Sequence, residues 1–244
     1  MSNNTLPLLK VENLKVMIGN TKSGLRDLSM SINEGEIVGL IGLEGCGKSL
    51  ALQAIMGQIE KQNGKIEFNG ENIEFLDTSS RVKAGLNLVP QRRKVFENIT
   101  VRENLVLGGH TIKDNETVRN IMEECLEVFP RLQEKTEELA GKISSGEKMM
   151  LGIARALMSD PMLLMIDELC LGISPLVRDD IFEKLLFLKE TGLTVLVAEQ
   201  KGLDILEIVD RAYLLDNGRV ASIGKAEDFR KSEKVRKMFE TEDN

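Results

Sequence analysis

A glycine-rich segment in the first quarter of the chain has the composition of a phosphate-binding loop. Residues 42–49 fit the pattern G-x-x-x-x-G-K-[ST], and they stand between a short apolar run and a segment with helical spacing. In such a loop the backbone N–H groups turn inward around a polyphosphate, a lysine reaches the β- and γ-phosphates, and a hydroxyl can bind Mg²⁺. The pattern predicts these roles for Lys48 and Ser49. Further phosphate contacts are expected from Gly42, Leu43, Glu44, Gly45, Cys46, Gly47 and Leu50.

Two adjacent carboxylates, Asp167 and Glu168, follow a second apolar run at residues 162–166. Ligands of open α/β sheets bind at the carboxyl ends of the strands, which is where these side chains would stand. We expect Asp167 to hold Mg²⁺, directly or through water, and Glu168 to accept a proton from the water that attacks a γ-phosphate. Two acids that end a strand are often ordinary loop residues, so it is their combination with the glycine-rich loop that indicates a nucleotide site.

A third segment could bind an anion at the start of a helix. Ser144 and Glu147 have the S-x-x-E spacing of a capping box, with Ser145 and Gly146 between them, and a helix is predicted over 148–158. The N-terminus of a helix presents free N–H groups and partial positive charge. A plain helix cap without a ligand has the same pattern, so these four residues alone leave both interpretations open.

Apolar runs predict a parallel core that positions these groups. Residues 37–41, 162–166 and 193–198 are short and apolar throughout, which is typical of strands buried on both faces. Helices are predicted over 49–56 and 175–190. The order strand, helix, strand implies parallel neighbours joined by a right-handed crossover.

The remainder of the chain predicts two additions to that core. Strands are expected over 8–16 and 28–32 as an antiparallel start, and Asn-Gly pairs at 69–70 and 217–218 indicate tight hairpins. Residues 98–159 have helical spacing and are expected to form an inserted helical subdomain.

Composition limits the possible functions. The chain has 244 residues of which 42% are hydrophobic, so most of it can form a core. It carries 32 basic and 39 acidic residues, a net charge of −7 that does not favour nucleic acid through bulk charge. A basic segment at 91–94 could bind an anion locally, but it is more typical of a solvated turn.

The cysteines and the apolar segments indicate where the protein works. Cys46, Cys125 and Cys170 have neither disulfide-framework nor metal-ligand spacing, which fits a reducing cytoplasm. No segment approaches the roughly 20 apolar residues of a membrane span, so a membrane role is expected to come through a partner.

These motifs, in this order along the chain, resemble those of ABC-transporter ATPases. Residues 143–147 resemble the LSGGQ signature of that family, and Asp167 and Glu168 resemble its Walker B acids. Gln91 matches the Q-loop glutamine, and Gln200 occupies the switch position that usually holds histidine.

The resemblance covers about residues 9–229 and implies a fold. That fold is an α/β P-loop NTPase of the ABC cassette type, with a RecA-like mixed sheet, an antiparallel β subdomain and an inserted helical subdomain. The chain is then a single ABC ATPase domain over 1–244. Its core would comprise 1–91 and 161–240, and its helical signature subdomain 92–160.

The resemblance also implies an ATPase that uses ATP and Mg²⁺. The implied catalytic residues are Glu168, Gln91 and Gln200, and the implied metal ligands are Ser49, Gln91 and Asp167. Two such domains pair head to tail in the family, so Ser144, Ser145, Gly146 and Glu147 of one subunit would face ATP bound by the other. The implied partners are a second ATPase subunit, identical or paralogous, and membrane permease subunits on the cytoplasmic face of the cell membrane.

Within the family, the chain is similar to the ATPases of branched-chain amino acid importers. The resembling segments are 64–70, 128–132, 152–158 and 171–176. Substrate choice lies in other subunits, so an importer ATPase for another solute remains an alternative. Two further alternatives are a non-catalytic ATP-binding module and a soluble ABC-type ATPase that acts on DNA, ribosomes or cluster assembly.

Several residues depart from the family pattern. Residues 17–18 are aliphatic where an adenine-stacking aromatic is usual, and Glu44 places a carboxylate within the loop. Leu50 replaces a hydroxyl residue, Ser145 adds a side chain at the first glycine of the signature, and Leu169 replaces the proline after the Walker B acids. Because the catalytic set is nevertheless complete, we expect an active ATPase with reduced turnover.

Overall fold

A computed structural model describes residues 6–17, 24–92, 94–200 and 202–240, except for the side chains of Lys234 and Glu240. The strands are β1 (Leu9–Met17), β2 (Gly24–Ile32), β3 (Ile37–Ile41), β4 (Asn63–Phe68), β5 (Glu71–Asn72), β6 (Leu86–Val89), β7 (Leu163–Asp167), β8 (Thr194–Glu199), β9 (Arg211–Asp216) and β10 (Arg219–Lys225). The helices are α1 (Lys48–Ile55), α2 (Thr78–Lys83), α3 (Val101–Gly108), α4 (Asn115–Val128), α5 (Pro130–Gln133), α6 (Ser145–Leu157), α7 (Pro175–Glu190), α8 (Gly202–Ile205), α9 (Ala226–Lys231) and α10 (Glu233–Glu240).

The apolar strands form the parallel part of one sheet. β3, β8, β7 and β6 lie side by side in that order, all parallel, and every residue of β3, β7 and β8 is buried. Successive residues of β3 enter opposite cores, Ile37 and Ile41 on one face and Val38 and Leu40 on the other. This two-faced burial explains why the sequence is apolar throughout rather than alternating. The three predicted buried strands are confirmed, with bounds that shift by one residue at most. The strand predicted over 28–32 begins four residues earlier, at Gly24.

The rest of the sheet consists of antiparallel pairs, connected through two parallel ones, β3 with β9 and β2 with β10. The sheet continues from β3 through β9, β10, β2, β1 and β4 to β5, and β1 pairs with both β2 and β4 in antiparallel register. Both predicted Asn-Gly turns are confirmed: φ is 50° at Asn69, 76° at Gly70, 47° at Asn217 and 75° at Gly218. Two consecutive residues with positive φ are the requirement of a type I′ turn, which explains the Asn-Gly pairs.

Four helices, α3 to α6, occupy the stretch between β6 and β7. α3, α4 and α6 begin after capping residues Thr100, Asp114 and Ser144, each of which accepts a hydrogen bond from an N–H group of the first turn. The predicted helix start at 148 is wrong, because α6 begins at Ser145 and so includes part of the signature segment. The division of the chain into core and helical subdomain stays a prediction.

Several short elements escape the sequence analysis, among them β6 and α2. β6 has four residues and α2 has six, too few for a periodic pattern. The start of α2 does carry a local signal, since the carboxylate of Asp77 accepts a hydrogen bond from the Ser80 N–H group. In the part of the chain described here, no helix has the length and apolar character needed to cross a membrane.

Candidate active site

The carboxyl ends of three parallel strands bring the predicted groups to one edge of the sheet. β3 ends at Ile41, directly before the glycine-rich loop, β7 ends at Asp167, and β8 ends at Glu199. Ile41 pairs with Glu199 and Asp167 pairs with Ala198, so the three ends are level and β8 lies between the other two. This edge is where open α/β sheets bind ligands.

The glycine-rich loop has the backbone that a phosphate loop requires. Gly45 (φ 74°) and Gly47 (φ 111°) are in the left-handed region, which favours glycine. Gly47 is the N-cap residue of α1, and no side chain caps this helix. The first N–H groups of α1 are therefore free of a capping side chain, and with the helix dipole they suit a polyphosphate.

Lys48 lies at the centre of the loop as a buried cation. Its side chain is 5% exposed, and its Nζ donates to the carbonyl oxygens of Gly42 (2.7 Å) and Leu43 (3.2 Å). The same Nζ lies 3.5 Å from Oε1 of Glu168. A buried ammonium group requires such partners. Lys48 thus joins the loop to the strand-end carboxylates and places positive charge where a polyphosphate would bind.

Ser49 and Asp167 form a pair that fits a divalent cation. The Ser49 Oγ donates to Oδ1 of Asp167 at 3.0 Å, which connects α1 to the end of β7. Asp167 is 4% exposed, and burial raises the pKa of its carboxyl above the usual value although the Ser49 hydrogen bond opposes this. A buried carboxylate with a raised pKa is stabilised by an added positive charge. The pair therefore has the oxygen donors and the charge that Mg²⁺ requires.

The donor set matches Mg²⁺ better than a metal held wholly by protein. Among the described residues, no three His, Cys, Asp or Glu side chains cluster so as to hold a metal ion. Mg²⁺ is characteristically bound through one or two carboxylates together with substrate phosphates and water. Ser49 and Asp167 supply the protein share of such a site.

Replacement of Asp167 by asparagine is expected to raise the melting temperature of the protein in EDTA without nucleotide. The folded-state pKa of Asp167 is above its unfolded value, so ionisation of this carboxyl opposes folding and any stability from its protonated form is lost as pH rises through the folded pKa. Asparagine does not ionise. Melting curves of both proteins should differ at pH 7 and converge as pH falls toward the carboxyl range of about 4. A lower melting temperature for Asp167→Asn at pH 7 would contradict the assigned burial cost.

Glu168 is held in a defined orientation between the loop and the end of β8. Its backbone has φ 55°, which is unusual for glutamate, and its N–H group donates to the Ala198 carbonyl oxygen at 2.9 Å. Its Oε2 accepts a hydrogen bond from the Gln200 N–H group at 3.2 Å, while Oε1 faces Lys48. Both oxygens retain lone pairs that can accept a proton or orient water.

Lys94 is a residue of the site that the sequence analysis misassigned. The predicted solvated turn at 91–94 holds only in part for this side chain, which is half-buried and whose Nζ donates to the Gln91 carbonyl oxygen at 2.8 Å. Burial lowers the pKa of the Lys94 ammonium, although attraction by Asp167, Glu199 and Glu168 opposes this. Lys94 therefore adds a second positive charge, besides Lys48, near the carboxylates of Asp167, Glu168 and Glu199. Its only sequence signal is its position three residues after Gln91.

Glu199 is a second residue that the sequence analysis did not single out. It is 1% exposed at the end of β8, and its Oε2 accepts a hydrogen bond from the Cys170 N–H group at 3.2 Å. This bond fixes the first residues after the Walker B acids. A charged residue at the end of an apolar run was the available signal.

The signature residues lie at the N-terminus of α6 and not among the loop contacts. Ser144 and Glu147 form the predicted capping box, with hydrogen bonds of 3.2 Å from the Glu147 N–H group to Ser144 Oγ and 2.8 Å from the Ser144 N–H group to Glu147 Oε2. Glu147 also pairs with Lys135 at 2.8 Å. A Cβ at Gly146 would lie 2.5 Å from Cγ1 of Val177 in α7, so only glycine fits there.

Gln91 lies on a cleft that the signature residues share. This cleft has a volume of about 450 Å³, and its lining includes Gln91, Lys94, Ser145, Lys148 and Gly172. In the described structure no hydrogen bond joins the Gln91 side chain to Ser49 or Asp167. The structure therefore brings together Lys48, Ser49, Asp167, Glu168 and the backbone of Gln200, and it places Gln91 and Ser145 on this cleft. Among the described residues, no hydrogen bond links Ser144, Ser145, Gly146 or Glu147 to that group. The individual roles of all these residues stay predictions.

The side chains that depart from the family pattern differ in how far they are exposed to solvent. Glu44 is exposed, so its carboxylate can point away from the loop, and Leu169 is fully buried. Cys46 is buried, and burial raises the pKa of its thiol, which favours the unreactive protonated form. Leu50 is half-buried, and Met17 is 40% exposed at the end of β1.

Two residues named in the sequence analysis lie outside the described residues. They are Ile18, at the expected adenine-stacking position, and Arg93, in the basic segment.

Comparisons with known proteins point to one protein family. A family model described as "ABC transporter" matches residues 25–170. The high-affinity branched-chain amino acid transport ATP-binding protein BraG of Pseudomonas aeruginosa is 44% identical over 197 residues, which cover 80% of this chain and 84% of BraG. The probable branched-chain amino acid transport ATP-binding protein LivF of Archaeoglobus fulgidus is 37% identical over 215 residues, 88% of this chain and 91% of that protein.

Solved structures agree with the fold. The ADP conformation of an ATP-binding cassette of an ABC transporter superposes with a TM-score of 0.84 at 27% identity, and the match covers 96% of this chain and 99% of that one. The mixed sheet, its antiparallel part and the helices between β6 and β7 thus follow a known cassette architecture, as the sequence predicts.

Proposed function

The chain belongs to the ABC transporter family of ATP-binding proteins, and on that premise we propose that it powers the import of branched-chain amino acids. The protein is the ATP-binding and ATP-hydrolysing subunit of such a system, with Mg²⁺ as cofactor and permease subunits as partners. The likeness to BraG and LivF supports the choice of substrate. The observation that carries the catalytic assignment is the buried ion pair of Lys48 and Glu168 at the edge of the sheet, beside the hydrogen bond of Ser49 to Asp167.

Nucleotide binding is assigned to the loop and α1. The free N–H groups at the start of α1 surround the phosphates, and the Lys48 ammonium moves its hydrogen bonds from loop carbonyls to the β- and γ-phosphates. We assign Ser49, Asp167 and Gln91 to hold Mg²⁺. When bound, this ion neutralises charge on the β- and γ-phosphates.

Hydrolysis is assigned to Glu168. A water oxygen attacks the γ-phosphorus while the bond from that phosphorus to the bridging oxygen breaks, so that ADP and phosphate form, and the water proton passes to Glu168. The Gln200 N–H group and Lys48 hold the glutamate carboxylate toward this position. Gln91 and the Gln200 side chain are assigned to orient the water.

The signature residues act on the nucleotide of a second subunit. Ser144 and Gly146 lie at the start of α6, apart from the loop of their own chain, so they complete the nucleotide site of a partner in a head-to-tail dimer. Loss of the γ-phosphate removes the contacts that hold this interface, and opening follows. The partner subunit is either a copy of this chain or a paralogue.

The permease is assigned to three exposed apolar side chains. They are Phe96, five residues after the Q-loop glutamine, and Val106 and Leu107 in α3. Asn104 is fully buried and joins Phe96 to α3, since its side chain accepts from the Phe96 N–H group (2.8 Å) and donates to the Phe96 carbonyl (3.0 Å). Cζ of Arg155 in α6 lies 5.0 Å from the centroid of the Phe96 ring. This surface therefore connects the permease to both α3 and α6.

Replacement of Phe96 by alanine is expected to weaken stimulation of ATP hydrolysis by the permease about tenfold, since buried interface aromatics often contribute 1–2 kcal/mol or more. Hydrolysis by the isolated subunit should be unchanged. Phe75, which is 94% exposed beyond β5, offers a matched control, and Phe75→Ala should behave as wild type in both assays. Equal stimulation of the Phe96→Ala and wild-type proteins would place the permease elsewhere.

The transport function is tested by uptake of labelled leucine in cells whose own copy of the gene is deleted. Wild-type protein should restore uptake, and Lys48→Ala protein, produced at the same level, should not. Uptake that is unaffected by the deletion, with uptake of another solute lost, would retain the ATPase assignment and overturn the substrate.

A further inference from the structure

Ser145 connects the signature segment to the loop after the Walker B acids. Its Oγ donates to the Gly172 carbonyl oxygen at 2.8 Å. Gly172 belongs to segment 169–174, which runs from the catalytic carboxylates to the start of α7. The two elements are separate in sequence, so this bond is a tertiary link on the surface of the chain.

A second contact beside this link makes the two elements fit closely. Gly146 packs against Val177 in the first turn of α7, where a Cβ would come within 2.5 Å of Cγ1. Segment 169–174 is itself anchored at its other end, since the Cys170 N–H group donates to Glu199. The N-terminus of α6 is therefore joined to the site of its own chain through a continuous series of contacts.

The hydrogen bond to Gly172 also fixes the direction of the Ser145 side chain. Ser145 is the first residue of α6, and a side chain there could obstruct an anion that approaches the free N–H groups of the first turn. The bond to Gly172 turns the hydroxyl toward segment 169–174. A methyl side chain would have no such partner.

We infer that Ser145 is a positioning residue that couples the two nucleotide sites of the dimer. Ser145 holds the N-terminus of α6 against segment 169–174. The N-terminus of α6 faces the ATP of the partner, and segment 169–174 directly follows Asp167 and Glu168 of its own site. This inference rests on the proposed head-to-tail dimer. A side chain at this position thus contributes to site coupling rather than only reducing turnover.

The test compares Ser145→Ala, Ser145→Thr and Ser159→Ala in the Glu168→Gln background. The mass of each protein in solution is measured as Mg-ATP is added. Loss of one hydrogen bond should raise the ATP concentration for half-maximal dimerisation by about threefold to tenfold in Ser145→Ala. Ser145→Thr retains a hydroxyl and should dimerise at the same ATP concentration as the Glu168→Gln background. Ser159→Ala is the control for loss of a serine hydroxyl away from the signature. Ser159 follows the other end of α6, where its Oγ donates to the Ala156 carbonyl at 2.9 Å and accepts from the Asn87 side chain at 2.8 Å.

Two further measurements test the role of Ser145 independently of dimer formation. Affinity for a fluorescent ATP analogue at low protein concentration, where the chain is monomeric, should be equal in Ser145→Ala and its background. Amide exchange of Cys170, whose N–H group donates to Glu199, should be faster in nucleotide-free Ser145→Ala and unchanged in Ser159→Ala.

The outcomes distinguish the two proposals. Unchanged exchange at Cys170 would overturn the link, whatever the protein does with ATP. Faster exchange with an unchanged ATP requirement for dimerisation would overturn the coupling role and leave the dimer standing. If no variant dimerises with ATP, the head-to-tail dimer fails, and the coupling role fails with it.

Discussion

Exchange of Glu168 for glutamine is expected to lower the rate of ATP hydrolysis by at least about 10²-fold, the usual contribution of a positioned general base. Glutamine is close in size and can still accept the hydrogen bond from the Gln200 N–H group, but it cannot take a proton from the attacking water. Nucleotide affinity should be retained, because the loop and α1 are unchanged. Phosphate release and equilibrium binding of a fluorescent ATP analogue measure the two quantities.

Glu183→Gln offers the matched control for this substitution. Glu183 is an exposed glutamate of α7, away from the carboxyl edge of the sheet, so its exchange should leave both hydrolysis and binding at the wild-type level. A Glu168→Gln protein that hydrolyses ATP within a few-fold of the wild-type rate would show that the proton goes elsewhere.

Exchange of Lys48 for alanine is expected to lower nucleotide affinity by about 10²-fold, because charge-assisted hydrogen bonds to phosphate contribute roughly 1.5–3 kcal/mol each. Hydrolysis should then be undetectable at ordinary ATP concentrations. The result differs from that of Glu168→Gln, which retains binding. Isothermal titration with ATP and Mg²⁺ measures the loss directly.

The structural effect of removing Lys48 has its own control. Lys48 is buried against Glu168, so alanine leaves a buried carboxylate without its cation, and the melting temperature must be measured with the affinity. Lys48→Arg keeps the charge and should retain more stability than alanine. Lys83→Ala, at an exposed lysine of α2, should change neither quantity. Full ATP affinity in a folded Lys48→Ala protein would contradict the assigned site.

Local patterns in the sequence predicted the parts of the site that lie on one element each. The glycine-rich loop places Lys48 and Ser49 at the start of α1, and the apolar run 162–166 places Asp167 and Glu168 at its end. Both follow from the periodicity of buried strands and from turn chemistry, which are properties of neighbouring residues. The Asn-Gly hairpins were predictable for the same reason.

Contacts between distant elements could not be predicted in this way. That β8 lies between β3 and β7 is a matter of sheet order, which a single sequence does not encode locally. Lys94 lies in a segment with the composition of a solvated turn, but it is half-buried and attracted by carboxylates at the ends of β7 and β8, which neighbouring residues do not encode. The Ser145 link to Gly172 likewise depends on how α6 packs beside α7.

We expect the chain to be a working ATPase that closes on ATP as a dimer. The most direct measurement is the mass in solution of the Glu168→Gln protein with and without Mg-ATP, alongside phosphate release by the wild type. We expect a monomer without nucleotide, a dimer with Mg-ATP, and measurable wild-type turnover. A monomer under both conditions and no phosphate release, also in the presence of the permease and any paralogous subunit, would contradict the account and indicate a non-catalytic ATP-binding module.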